Sequence, residues 1–248
     1  MRLFLHQLRA DQLVFWRGRE NAIFVYLFPV LLFLLLGTVY SGRYQGHPVV
    51  DYLVASLIAY GVANTAFGGL AIMLVVRREN GILKRIRSTP LPAWVYIAAA
   101  LASIFVIFVL QTVTILLVGK LAYDAAWPAD WLSVALAVVL GAAAFAGLGL
   151  AAAALIRSAD GAAAVVNVIV LPMTFLSGGF GPTRHFPEFL RAIADVLPLT
   201  YFVRIVTGIF IDHDGIWTKP GAIAVLALWG LVGAGIAARR FRWEPTQS

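Results

Sequence analysis

Hydrophobic positions along the chain gather into six long runs without Asp, Glu, Lys, Arg or His: residues 22–41, 52–76, 94–119, 131–156, 161–180 and 220–238. A bilayer core about 30 Å thick needs roughly 20 mostly apolar residues per spanning helix, so each run is long enough to cross. Residues 2–19 are patterned differently. Arg2, Arg9, Arg17 and Arg19 alternate there with Phe4, Leu5, Leu8, Phe15 and Trp16. Phe4, Leu8 and Phe15 share one helical face, which predicts an amphipathic helix lying among the lipid headgroups. A cleaved leader would carry its short apolar stretch near the start, and this segment does not. Residues 197–211 are apolar but short, with Arg204 near their middle. A charge at mid-membrane costs at least about 2.5 kcal/mol, so this stretch predicts a helix that dips in from the outer side and returns.

The pattern therefore predicts an all-α integral membrane protein. It has six transmembrane helices, an N-terminal amphipathic interfacial helix, and short re-entrant external helices between spans five and six. The expected division is an interfacial helix at 1–20, a six-span domain at 21–240 and a tail at 241–248. Within the six-span domain lie a loop at 77–93 and an external segment at 181–211.

Composition strengthens this picture. Of the 248 residues 61% are hydrophobic and 12% charged, with a net charge of +7 and no cysteine, against roughly 45–50% and about 25% in soluble domains. With the N-terminus inside, the inner segments hold 13 basic and 5 acidic residues and the outer ones 6 and 7. That asymmetry is the positive-inside pattern of a multi-pass protein of the cell membrane with both termini cytoplasmic. The net positive charge reads as topology, with no nucleic-acid partner implied. Tyr40, Trp94, Trp127, Trp131 and Trp217 fall near span ends, as an aromatic belt places them.

The chemistry the chain lacks narrows its function. Ionisable groups inside spans usually mark proton or ion coupling, and the six runs contain none. His6, His47, His185 and His213 are widely separated, with no H-E-x-x-H or G-x-S-x-G motif and no cysteine, so neither a metal nor a catalytic residue is predicted. Its sole Gly-Lys pair, Gly119-Lys120, is followed by Leu121 and so is not a P-loop. An enzyme is not expected, and any ATP used must be bound by another chain.

Three loops carry information. After the second run comes Arg77-Arg78-Glu79-Asn80-Gly81-Ile82-Leu83-Lys84-Arg85-Ile86-Arg87-Ser88-Thr89-Pro90-Leu91-Pro92. Glu79 stands where a short helix would begin, and Lys84, Arg85 and Arg87 where it would end, both suited to the helix dipole. Ile82, Leu83 and Ile86 form a small apolar face, and Pro90 stops the helix. A plain topology anchor needs only the charge. The defined start, stop and face fit a helix that seats in a groove of a partner.

In the external segment, Ser177-Gly178-Gly179 ends span five and Pro187 suits a first helical position. Pro198 then stops that helix and Thr200 can cap the next. A lid over the outer end of a pathway fits this segment, because non-helical backbone at membrane depth must be covered by protein or line a cavity. Small-residue runs at 142–149 and 230–237 let helices approach closely.

The pattern R-E-x-G-x-L-K-R-I-R-S-T-P-L-P from Arg78 to Pro92 resembles the cytoplasmic segment after the second span of ABC-2 type transporter permeases. A second match reads N-x-x-x-L-P-M-T-F-L-S-G-G-F from Asn167 to Phe180, then F-P-x-F-L from Phe186 and L-P-L-T-Y-F from Leu197, with Arg204 two residues on. Length, span count and N-terminal helix are also similar, so the resemblance covers essentially the whole chain, nearest to the daunorubicin-resistance-type exporter permeases.

The resemblance implies a coupling helix at Glu79, Asn80, Gly81, Ile82, Leu83, Lys84, Arg85, Ile86 and Arg87. That helix would dock on a P-loop ATP-binding subunit present in two copies, which would bind ATP and Mg. It also implies a weaker contact at Arg157 and Asp160, for which a bare turn is the competing reading. Ser177, Gly178, Gly179, Phe186, Pro187, Pro198 and Arg204 would form an external gate. A second permease subunit, identical or related, would complete the assembly in the lipid membrane. The expected cargo is an apolar or amphipathic molecule, drug-like or lipid, moved outward. Export of a lipid-linked polysaccharide, or an ATP-independent channel or scaffold, stays open.

Overall fold

The computed structural model describes all residues except Ser41, Gln45, Pro182, Arg184, His185, Arg242 and 244–248, and the side chains of Asn21, Phe24 and Tyr44. Arg184 and Arg242 of the charge asymmetry, and most of the predicted tail, thus lie outside the described residues.

Twelve α-helices follow one another among the described residues. Helix α1 (Arg2–Arg17) is followed by α2 (Arg19–Ala22), a π-helical turn (Ile23–Leu27) and α3 (Phe28–Val39). A two-residue antiparallel pair, β1 (Arg43–Tyr44) and β2 (His47–Pro48), makes the turn into the second span and is the one strand pairing among the described residues. The second span is α4 (Val49–Ala63), a π-helical turn (Asn64–Gly69) and α5 (Leu70–Glu79), and it is the most buried of all. Then come the short α6 (Ile82–Arg87) and the long α7 (Ala93–Tyr123), α8 (Trp131–Leu155) and α9 (Ala159–Leu176). The chain closes through α10 (Glu188–Ala194), α11 (Pro198–Thr207) and α12 (Pro220–Arg240).

Among the described residues five helices are long and apolar enough to cross a membrane. They match predicted runs two to six. The first run is helical from α2 through its π turn to Val39, with Val25–Val39 as its described apolar stretch, and the π turn frees carbonyls that a regular helix would use. Gln111 of α7 takes up two of them, its Nε2 donating to Val25 O at 2.9 Å and Tyr26 O at 3.1 Å. Pro29, lacking an N–H, then opens α3 without losing a bond.

The contacts sort the helix ends into two groups. Asp11 meets Arg77, Arg78 meets Ala153 and Ile156, and Tyr96 meets Trp243, which gathers α1, the end of α5, the start of α7, the end of α8 and the residues after α12. At the opposite end Asp51 accepts from Ala126 N at 2.8 Å, Tyr52 donates to Gly178 O at 3.0 Å, and Ser133 Oγ accepts from Ile216 N at 3.0 Å. Helix α9 ends in this second group, and Lys219, just before α12, pairs there with Asp212 at 3.2 Å. The intervening helices, Glu188–Ala194 and Pro198–Asp212 with an 88° bend between them, therefore leave and return at the same end. This is the predicted re-entrant arrangement. Its depth is set by Phe202, whose ring contacts Phe145 and covers Gly141 of α8, ten residues or about 15 Å of helix from Trp131.

Helices α8 and α12 pack along their length through the two small-residue runs. A Cβ on Gly230 would stand 2.7 Å from Ala144 Cα, and one on Gly233 2.6 Å from the Gly147 carbonyl carbon. With no hydrophobic force between helices in lipid, such backbone proximity and dispersion are what hold spans together.

Candidate functional site

The short helix α6 begins where Gly81 takes a left-handed conformation, φ 69°, which lets α5 end and α6 start in another direction without strain on a Cβ. Leu83 is fully buried and Ile86 half-buried against the bundle, whereas Lys84, Arg85 and Arg87 are exposed. Of the predicted apolar face, Leu83 and Ile86 anchor the helix to the bundle, while Ile82 is exposed beside the basic residues. Ser88 and Thr89 hydroxyls donate to Arg85 O at 2.8 Å and Ile86 O at 2.6 Å and close the helix before Pro90.

Glu79 is placed differently from its prediction. It ends α5, and its carboxylate accepts from Ala159 N, at the start of α9. An anionic group is stabilised at a helix N-terminus, but the helix concerned lies 80 residues away in sequence. Through this bond the structure brings the 157–160 turn beside α6. Arg157 and Asp160 are exposed there, and Ser158 Oγ accepts from Gly161 N at 3.3 Å to cap α9.

Sequence reasoning missed the groups that hold this end together. Arg78 is buried, and its guanidinium donates to Ala153 O at 2.7 Å and to Ile156 O. It satisfies carbonyls that the end of α8 leaves open, with a cation where the helix dipole favours one. Arg77 bridges Asp11 Oδ1 at 2.8 Å and the Tyr96 hydroxyl at 2.8 Å. Burial pushes the Asp11 carboxyl up, and the Arg77 guanidinium opposes that. Gln12 Nε2 adds bonds to Ser103 O at 2.8 Å and Ser103 Oγ at 2.9 Å. The face of α1 carrying Phe4, Leu8 and Phe15 thus also carries a buried Asp11, and α1 is pinned to α5 and α7. Only the double Arg at a span end signalled any of this, because each partner is remote in sequence.

At the opposite end a cavity of about 480 Å³ lies beneath α10 and α11. Tyr52, Ser177, Phe186, Thr200 and Arg204 line it. Ser177 is buried and hydrogen-bonded to Thr200 at 2.9 Å, so Thr200 spends its hydroxyl on α9's end rather than capping α11, whose first residue is Pro198. Helix α10 starts at Glu188, with Pro187 as its exposed N-cap, and ends before Pro198 is reached. Gly178, φ 79°, packs so closely under the Tyr52 hydroxyl that a Cβ would stand 2.6 Å from it. Arg204 is exposed, paired with Asp195, and stacks over Tyr201 at 5.5 Å. Of the predicted gate residues, Ser177, Phe186 and Arg204 line the cavity, and Gly178, Gly179, Pro187 and Pro198 shape the backbone around it. No group of three or more His, Cys, Asp or Glu suited to a metal occurs among the described residues.

A bundle of helices long and apolar enough to cross a membrane, with short helices at both ends, is the build of a multi-pass membrane protein. The chain belongs to the ABC-2 type transporter family, whose model matches residues 2–211. It is 30% identical over 152 residues to the putative transport permease YvfS of Bacillus subtilis, covering 61% of this chain and 62% of that one. To the probable multidrug ABC transporter permease YbhR of Escherichia coli it is 24% identical over 187 residues, 73% of this chain and 50% of that one. To the inner membrane transport permease YadH of the same species it is 22% identical over 181 residues, covering 70% and 68%. The chain thus matches between half and about two thirds of the length of these relatives.

Proposed function

We propose that this chain is the membrane-spanning subunit of an ATP-driven exporter in the cell membrane, with both termini cytoplasmic. It moves an apolar or amphipathic molecule outward with energy from separate P-loop subunits that bind ATP and Mg. The observation that carries the reading is α6: a helix anchored by buried Leu83, pivoted on left-handed Gly81, with Lys84, Arg85 and Arg87 facing out. Such a helix can take a push from a partner and pass it to α5 through Gly81 and to α9 through Glu79. Two states of the assembly would then differ in the contacts α6 makes, which any coupling requires. Supporting the reading is the likeness to a relative named a probable multidrug ABC transporter permease.

Uncharged spans suit an apolar or amphipathic cargo, and the cavity under α10 and α11 would be the outer end of its route. A second permease subunit, identical or related, would pack on the least buried spans, α9 and α12, and the assembly would carry two ATPase copies. Arg157 and Asp160 would add a weaker contact.

The test is co-purification from the native host, comparing wild type with Lys84→Glu/Arg85→Glu/Arg87→Glu. A P-loop ATPase should come down with wild type and be lost from the triple variant, while the variant's melting temperature stays unchanged. Absence of any ATPase from the wild-type preparation would overturn the reading.

A further inference from the structure

Two hollows meet at Phe186. One is the cavity of about 480 Å³ beneath α10 and α11, the other a groove of about 390 Å³ between α3 and α9, and Phe186 belongs to the walls of both. Their chemistry is opposite. The groove is walled by Phe28, Leu32, Leu36 and Tyr40, which recur every four residues along one face of the first span, and by Leu171 and Phe175 of α9. From Phe28 to Tyr40 is about 18 Å of helix, close to one leaflet of a bilayer whose core is about 30 Å thick. Phe28 and Phe175 are exposed, so the groove is open along its side. The cavity carries charge instead. Arg191, Asp195, Arg204 and Asp212 stand on its walls, two cations and two anions among the described residues, and all four are exposed. Their charged groups are therefore within reach of an occupant. Arg204 bonds Asp195, and Asp212 is shared with Lys219 at 3.2 Å. Ion pairs this exposed contribute little, so a ligand exchanges into them at small cost, and each hydrogen bond it makes to a charged group is about twice as strong as a neutral one.

We infer that cavity and groove together bind one zwitterionic amphiphile. Its head, an anion and an ammonium group, sits under α10 and α11, and its apolar tail lies between α3 and α9. The anion displaces Asp195 from Arg204, with Arg191 one turn before Asp195 on α10, and the ammonium takes up the carboxylate so released. A head of one sign would satisfy one member of the Arg204–Asp195 pair and strand the other. An uncharged head would have to open the pair without supplying either missing charge. In a membrane the groove by itself selects nothing, because lipid tails are as apolar as its walls. The charged cavity decides which head binds, and its junction with the groove at Phe186 requires that the head carry a tail. That this amphiphile is the cargo rests on the exporter reading; its binding does not.

The full chain in detergent, with no ATPase present, is titrated with four amphiphiles of matched chain length and read by native mass spectrometry. They are lysophosphatidylethanolamine, lysophosphatidylglycerol, an alkylammonium and a monoacylglycerol. The first, a zwitterion, should bind at least about tenfold more tightly than the anionic, cationic and uncharged forms. Arg204→Gln, at an exposed position, should bring the zwitterion down to the level of the uncharged lipid. Leu32→Trp, which fills the groove, should weaken lysophosphatidylethanolamine about tenfold and leave the weaker binding of free phosphoethanolamine unchanged. Phe175→Ala, at an exposed position on the same groove, should weaken it severalfold and covers the case in which the tryptophan variant does not fold. Equal binding of all four heads, or tightest binding of a head of one sign, would overturn the inference. So would zwitterion binding that Arg204→Gln or the groove variants leave unchanged. Failure here would leave the co-purification result untouched, and the absence of an ATPase there would leave this binding untouched, so the two proposals fall separately.

Discussion

The two ends of this bundle are tied by different chemistry. At the end carrying α6, the ties are charged and long-range: Arg78 to the last carbonyls of α8, Arg77 to Asp11 and Tyr96, Glu79 to the start of α9. At the opposite end, neutral hydroxyls do most of the joining, through Tyr52 to Gly178, Ser177 to Thr200 and Ser133 to Ile216, and the charged pairs there, Arg204–Asp195 and Lys219–Asp212, are largely exposed. Exposed pairs contribute little, about 0–1 kcal/mol, whereas a buried charge bonded to carbonyls is costly to break. The first end therefore holds its helices together more firmly than the second holds α10 and α11. The proposed function, with force entering at one end and a route opening at the other, would use this difference.

The comparison can be broken most severely at Arg78. Arg78→Ala removes two bonds from a charged donor and leaves buried carbonyls unpaired, with an expected loss of about 3 kcal/mol read as a lower melting temperature in detergent. Gly147→Val, which forces a side chain onto the Gly230 carbonyl, should destabilise by about 2 kcal/mol through separation of α8 and α12. Gly81→Ala meets nothing within 4 Å but must hold φ 69°, so about 1 kcal/mol is expected. Its larger consequence should be reduced stimulation of a bound ATPase.

Ser177→Ala, at the second end, should cost about 1 kcal/mol and raise transport leak more than it lowers stability. The smallest effect concerns pH. Hydrogen bonds from Ser133 hold the Asp130 carboxyl below its ordinary value. Its contribution is therefore present above the ordinary carboxylate pKa and lost as pH falls through the lower folded value. Asp130→Asn should flatten that acid limb of the melting curve and leave the neutral region nearly unchanged.

How much of this was legible in the sequence follows from the range of each interaction. The spans, the small-residue runs that permit close approach and the return of α11 are properties of local pattern and were predicted from residues within a single run; that the two runs meet each other, α8 on α12, was not. What the first run did not disclose is its π turn, whose carbonyls are held by Gln111, up to 86 residues away. The two faces of α6, apolar and basic, follow from its spacing, but that Leu83 packs into the bundle while Ile82 stays exposed could not be read locally. Glu79 and Thr200 were assigned to the nearest helix ends, and both serve helices that lie elsewhere in the chain.

The central claim is that force enters at the exposed basic face of α6. Because the chain has no cysteine, single cysteines can be placed at Arg85 and, as the opposite-end control, at Phe186, each carrying a maleimide benzophenone. Irradiation in native membranes should attach a P-loop ATPase, identified by mass spectrometry, to position 85 and not to position 186. Equal capture at both positions, or no ATPase at position 85, would contradict the account.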